Sequence, residues 1–196
     1  MSVALQSGEL AALRGRDEHV LDRVVRDNSR RLYRAARGLG HSADEAEDLV
    51  QDVFLTFVAT IDRFEGRASV ETWLYGILLK KAKERWRVRA RAENHDVIDD
   101  EWEERFDPAG NWVRPPVDPD RALTTREASA AIRDCLMALP EQQRSALLLR
   151  QIEGFSAEQA SKILDLTVTH IGVLLHRARL RIRACLDGKG WRTSRR

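Results

Sequence analysis

The stretch SAEQASKILDLTVTHIGVLLHRARLRIRACL, Ser156 to Leu186, spells out two helices and the corner between them. Ser156, with Gln159 three residues on, forms a capping box that sets the start of the first helix. That helix ends near Leu164, because Asp165 tolerates a left-handed turn and Thr167 can cap a second helix. In the second helix, Ile171, Leu174, Leu175, Ala178, Ile182 and Leu186 recur at helical spacing and predict a buried stripe. The opposite side is centred on Thr169, Val173, His176 and Leu180, flanked by His170 and Arg177 on one edge and Arg179 and Arg183 on the other. Helix, tight turn, helix is the shape in which a second helix enters the major groove of DNA. Small and polar side chains at its start suit base edges, and the cations further along suit phosphates. A basic helix face by itself commonly just faces water. Val173 and Leu180 point further, since a thymine methyl group or a protein partner gives them a reason to be there and water does not.

Upstream, Pro140 suits the first turn of a helix and Gly154 the turn that ends one. Helices are expected at roughly 17–39, 42–62, 69–90, 121–138, 140–153, 156–164 and 167–186, with no hairpin chemistry anywhere. Between Asn94 and Asp120, four of the five prolines and an acidic cluster, including RFDPAGNWVRPPVDPD, break the pattern and predict an extended linker crossing a surface. The chain therefore reads as all-α: a helical domain over 1–92, an acidic linker over 93–125, a helix-turn-helix domain over 126–188 and a basic tail over 189–196. Charge follows this division. Residues 1–90 carry 16 Lys or Arg and 14 Asp or Glu, residues 91–128 carry 5 and 11, and residues 129–196 carry 12 and 6. A basic end suggests a nucleic-acid contact and an acidic middle a different partner.

In the first domain, DEAEDLVQDVFLTFVATI buries Val50, Val53, Phe54, Phe57 and Ile61 and gathers Glu45, Asp48 and Asp52 on the other side. Acidic residues near a helix start favour the dipole, but Asp52 lies beyond the first turn with Leu55 beside it, so a basic protein surface could dock there. In the following RFEGRASVETWLYGILLKKAKERWRVRAR, a Gly-containing loop leads into a helix capped near Ser69. Val70, Leu74, Ile77 and Leu78 form one apolar stripe; Tyr75, Leu79, Ala82 and Trp86 form a second. Lys80, Lys83 and Arg87 fill what remains. Cations interleaved with Trp73 and Trp86 suit single-stranded nucleic acid, although tryptophan at helical spacing also serves as core.

At 196 residues and 43% hydrophobic, the chain can build packed cores. Without a long uncharged apolar run or a signal-like amino terminus, a cytoplasmic protein with no membrane insertion is expected. Cys135 and Cys185 stand far apart in sequence with no histidine at ligand spacing, so neither a disulfide framework nor a metal site is expected, and no cofactor. Scattered histidines and the lack of a Gly-rich phosphate loop or a paired acid and base argue against an enzyme.

Taken in order, AEDLVQDVF, RFEGRAS, TWLYGIL, LPEQQR and LLHRAR resemble the bacterial RNA polymerase sigma factors of the extracytoplasmic-function class. The resemblance covers region two, about Leu21 to Ala90, and region four, about Arg126 to Leu186. It implies an alternative sigma factor that recruits core RNA polymerase through the clamp and flap, and that is restrained by an anti-sigma factor. Glu45, Asp48, Gln51, Asp52 and Leu55 would meet the clamp coiled coil of the largest subunit. Phe64, Arg67, Ser69, Trp73, Lys80, Lys83 and Arg87 would melt the −10 element and hold a displaced base. Thr167, Thr169, His170, Val173, His176, Arg177 and Arg179 would read the −35 duplex, and the acidic linker would thread through the polymerase. Gly172 and Leu174 stand where the family's pattern has Lys and Arg, so those two contacts are not carried over. The alternative is a free-standing helix-turn-helix regulator, which needs neither the acidic nor the basic aromatic helix of the first domain.

Overall fold

A computed structural model describes residues 7–93 and 125–190. All but the end residues of the linker expected over 93–125, and residues 191–196 of the basic tail, lie outside the described residues. Within them every regular element is helical: α1 (Ser7–Arg14), α2 (Glu18–Gly38), α3 (Ala43–Thr60), α4 (Val70–Glu93), α5 (Thr125–Met137), α6 (Glu141–Leu147), α7 (Ala157–Leu164) and α8 (Val168–Gly188). The sequence reading missed α1.

Each start has a local cause. The Asp17 carboxylate accepts from Val20 N–H at 3.1 Å and starts α2. Ser42 and Glu45 form a capping box for α3. α3 buries Ala46, Leu49, Val53 and Phe57, a face turned slightly from the expected one, so that Val50 and Phe54 are only partly buried. α4 buries most of both expected stripes, Val70, Leu74 and Leu78 on one and Tyr75, Leu79 and Ala82 on the other, while Ile77 and Trp86 are only partly buried. The reason is that α4 lies between two layers, α2 and α3 on one side and α7 on the other.

The expected helix over 140–153 is in fact α6 followed by a π turn, Leu148–Ile152, in which Glu153 N–H donates to Leu148 O at 2.9 Å. Gly154, at φ +75°, reverses the chain, and Phe155 N–H returns to Leu149 O at 2.9 Å. Together these swing Glu153 and Phe155 onto α4. The rings of Phe155 and Tyr75 meet edge to face at 4.8 Å. The Glu153 carboxylate, 7% exposed, accepts from the Tyr75 hydroxyl at 2.6 Å and from Arg31 at 3.3 Å. Arg31 also pairs with Glu71. Burial and the Glu153 carboxylate push the Tyr75 phenol far above its ordinary range, so it stays a proton donor. Further along α4, the Arg144 guanidinium sits 4.2 Å from the centre of the Trp86 ring, which also stacks on His41. The two helical units thus share a packed interface rather than standing apart. Gly40 shows how close the approach is: it has φ +98°, and a Cβ there would lie 2.7 Å from Met137 Sδ.

The cysteines correct an expectation. Cys135 of α5 and Cys185 near the end of α8 form a disulfide, with Cα atoms 5.7 Å apart. Fifty residues separate them in sequence, and only the packing of α5 against α8 brings them together.

Two outcomes follow. Reducing the disulfide frees a long loop in the unfolded chain, which the chain-entropy account puts at about 4 kcal/mol; α5–α8 should melt at clearly lower temperature in dithiothreitol, and Cys135→Ser should melt there with or without it. Glu153→Ala leaves the Tyr75 hydroxyl and part of Arg31 without an acceptor, costing about 2 kcal/mol; the units should separate in small-angle scattering while the helicity of α2–α4 is kept.

Candidate nucleic-acid interface

The helix-turn-helix corner is built as the sequence predicts. Ser156 and Gln159 make the reciprocal capping bonds at 3.1 and 2.8 Å. Asp165 is left-handed at φ 54°, and the Thr167 hydroxyl accepts from His170 N–H at 3.2 Å. The Ser161 hydroxyl donates to Leu166 O across the corner, tying α7 to the entry of α8. The Glu158 carboxyl, at the start of α7, is held below its ordinary range by the Ser156 hydroxyl and by its own backbone N–H.

On α8, Ile171, Leu174, Leu175 and Ala178 are buried, as is Ala184, whereas Ile182 and Leu186 are half-buried. Thr167, Thr169, His170, Val173, His176, Arg177 and Arg179 are all exposed, so one continuous face carries every residue expected to read duplex DNA. Val173 stands 42% exposed at its centre. Leu180 departs from expectation by being half-buried. Val168, 45% exposed in the first turn, shares the helical phase of Leu175 and Leu186 and yet stands open.

On α3, Asp48, Gln51 and Leu55 point outward, Leu55 being 70% exposed. Glu45 and Asp52 are already engaged. Arg85 of α4 donates to Glu45 O at 3.0 Å and to the Asp52 carboxylate at 2.7 Å. A shallow cleft beside them is lined by Glu45, Asp52, Lys81, Glu84, Arg85 and Val88. The outer acidic face is therefore narrower than the sequence suggests, with Asp48 and Leu55 as its open members.

The loop between α3 and α4 begins with a 3-10 turn, Ile61–Arg63. Phe64 is buried and packs edge-on against half-buried Trp73, centroids 4.7 Å apart. Contrary to expectation, then, its side chain is core, and the loop presents Glu65, Gly66 and Arg67 instead. Arg67 is exposed and pairs with Glu65. The Ser69 hydroxyl accepts from Thr72 N–H at 3.1 Å and starts α4. Trp73, Ile77, Lys80, Glu84 and Arg87 then follow at helical spacing on the open side of α4, with half-buried Lys83 at its edge. Trp86 lies elsewhere, on the stripe facing the second unit.

Among the described residues, no group of His, Cys, Asp and Glu is placed to hold a metal ion, and no helix is long and apolar enough to cross a membrane.

Comparison with known proteins agrees with this layout. Residues 24–92 match the family model for Sigma-70 region 2, and residues 129–182 that for Sigma-70, region 4. The chain is 30% identical to the ECF RNA polymerase sigma-E factor of Haemophilus influenzae over 138 residues, 70% of this chain and 72% of the relative. It is 28% identical to the RNA polymerase sigma-H factor of Pseudomonas aeruginosa, covering 83% of this chain and 84% of that one. Among solved structures it is similar to the sigma factor RpoE in complex with the anti-sigma factor NepR from Bartonella quintana, at 26% identity and a TM-score of 0.63, covering 85% of this chain and 96% of that one. The chain belongs to the extracytoplasmic-function sigma factors of RNA polymerase.

Proposed function

We propose that this chain joins core RNA polymerase and directs it to promoters carrying a −35 element read by α8 and a −10 element opened by the loop over 64–69 and the outer side of α4. The observation that carries the reading is the exposed face of α8. Its first turns offer Thr169, His170 and Val173 to base edges, and Arg177 and Arg179 lie further along where phosphates would be. Gly172 contributes no cation, so apolar contact through Val173 takes a larger share of the recognition.

On α3, Asp48, Gln51 and Leu55 form the patch for the polymerase clamp, and Glu45 and Asp52 support it through Arg85. On α4, Lys80, Lys83 and Arg87 neutralise the displaced strand, and Trp73 and Arg67 border the pocket that holds an extruded base; unstacking costs only a few kcal/mol, which a fitted pocket offsets. The polymerase performs the bond chemistry, and this reading needs no catalytic group here. A free-standing regulator would need neither the α3 patch nor the cation row of α4. Since the Bartonella relative is bound to an anti-sigma factor, a restraining protein of that kind is part of the proposal, as are the polymerase flap as a partner of the second unit and the cytoplasm as its place of work.

Run-off transcription with purified core polymerase on a promoter library tests the whole reading: chain-dependent initiation at a defined −35/−10 pair is expected, and none at any promoter overturns it. Asp48→Lys with Leu55→Asp, both outside the core, should weaken polymerase binding about tenfold or more with helicity unchanged; full affinity would remove α3 from the docking surface. Arg177→Ala should weaken binding to every −35 duplex alike and lower the salt slope by about 1, whereas His170→Ala and Val173→Ala should change which sequence is preferred.

A further inference from the structure

Helix α1 lies outside the region matched by the family models, which begins at residue 24, yet it and the turn that ends it touch the loop ahead of α4 at three points. Arg14, its last residue, donates to Phe64 O from Nε at 3.0 Å and from Nη2 at 2.8 Å. Arg16 pairs with Asp62 at 3.0 Å. Leu10 lies against Gly66, where an added Cβ would come within 3.2 Å of Leu10 Cδ2 and where φ is +72°.

The geometry is specific. Phe64 leaves the 3-10 turn in an extended conformation, so its carbonyl departs from helical hydrogen bonding and both guanidinium donors converge on it. Arg14 is in turn held by its own helix end. Gly15 N–H returns to Ala11 O at 2.8 Å, Arg16 N–H to Leu13 O at 3.1 Å and Asp17 N–H to Ala12 O at 3.0 Å. That closure puts Arg16 at φ 56°, a left-handed conformation unfavourable for an arginine, and its pair with Asp62 accompanies it. Leu13, fully buried, anchors α1 to the core. The exposed rim from Glu65 to Arg67 is therefore fixed at both ends: by Arg14 of α1 at Phe64 with Arg16 of the following turn at Asp62, and by the Ser69 cap of α4.

We infer that α1 is a strut for the base-holding loop and that Arg14 is its positioning residue, setting how sharply the loop discriminates at the −10 element without touching DNA. The inference rests on the assignment of that loop and α4 to −10 DNA. A rim ordered before binding loses less freedom when a base enters, which strengthens correct contacts and penalises near misses.

The test uses the full chain with core polymerase on promoters randomised at −10, with 2-aminopurine in the displaced strand as a reporter of base extrusion. Arg14→Ala should cut both the 2-aminopurine signal and the ratio of preferred to substituted −10 sequences about tenfold, the lower end of what a single charge-assisted hydrogen bond contributes. Core affinity and −35 preference should stay unchanged. Arg14→Lys, which keeps the charge and one donor, should recover part of that ratio; it also supplies the answer should Arg14→Ala fold poorly. Full discrimination in both variants, with Lys80→Ala and Arg87→Ala still impaired, overturns the strut and leaves the −10 assignment standing. Full discrimination in all four overturns both.

Discussion

Helix α4 has to satisfy neighbours on two sides at once, and the rest of the molecule is arranged around that requirement. Leu74 and Leu78 complete the core of α2 and α3. Tyr75 and Trp86, eleven residues apart on the other stripe, receive Phe155 and Arg144 from the second unit, and Leu79 and Ala82 between them are buried. A helix with an apolar surface this wide cannot leave one side to water without exposing a large patch. The second unit covers it. The price is steric, visible at Gly38 and Gly40: an added Cβ at Gly38 would meet Leu148 at 3.0 Å, and one at Gly40 would meet Met137 closer still.

The contact between the units continues one hydrophobic core and sets polar anchors within it. Its centre is a carboxylate, Glu153, shared by a phenol and a guanidinium, and its edge is a guanidinium over an indole. Burial draws the Arg144 guanidinium below its ordinary pKa, although it remains charged at any physiological pH. Such groups are costly to leave unpaired but gain water when fully released. An interface of this composition fixes one orientation while closed and can still be separated, as interfaces between domains of one chain commonly are.

What the sequence made legible was local. Caps at Ser156 and Thr167, the left-handed Asp165 and the apolar period of α8 are decided within a few residues, and the corner stands as read. The exposed row on α8 followed from periodicity alone. Three features escaped because they exist only between distant segments. Cys135 meets Cys185 through the packing of α5 on α8. Arg85 reaches across 33 residues to Asp52, narrowing an acidic face that had looked uniform. Helix α1 is short, and its clearest signal, Leu13 buried with Arg14 on Phe64 O, needs the loop fifty residues on. Phe64 shows the same limit from the other side. Its motif fixes the loop, but only packing against Trp73 shows that the ring faces inward.

The two sides of α4 also decide how its aromatic residues can divide their work. Trp86 is enclosed between His41 and Arg144, so while the units are packed together it has no face to offer a base. Trp73 sits one turn into the helix on the open row with Lys80 and Arg87, held edge-on by Phe64. Under the proposed function, a stacking role on single-stranded DNA falls to Trp73 rather than to Trp86. Its partner Phe64 carries the backbone carbonyl that Arg14 grips, so the indole, the loop rim and α1 form one mechanical unit. Closing the second unit onto α4 removes Trp86 and leaves this unit and the cation row accessible. The packed arrangement can thus hide one stripe of the helix and still present the other.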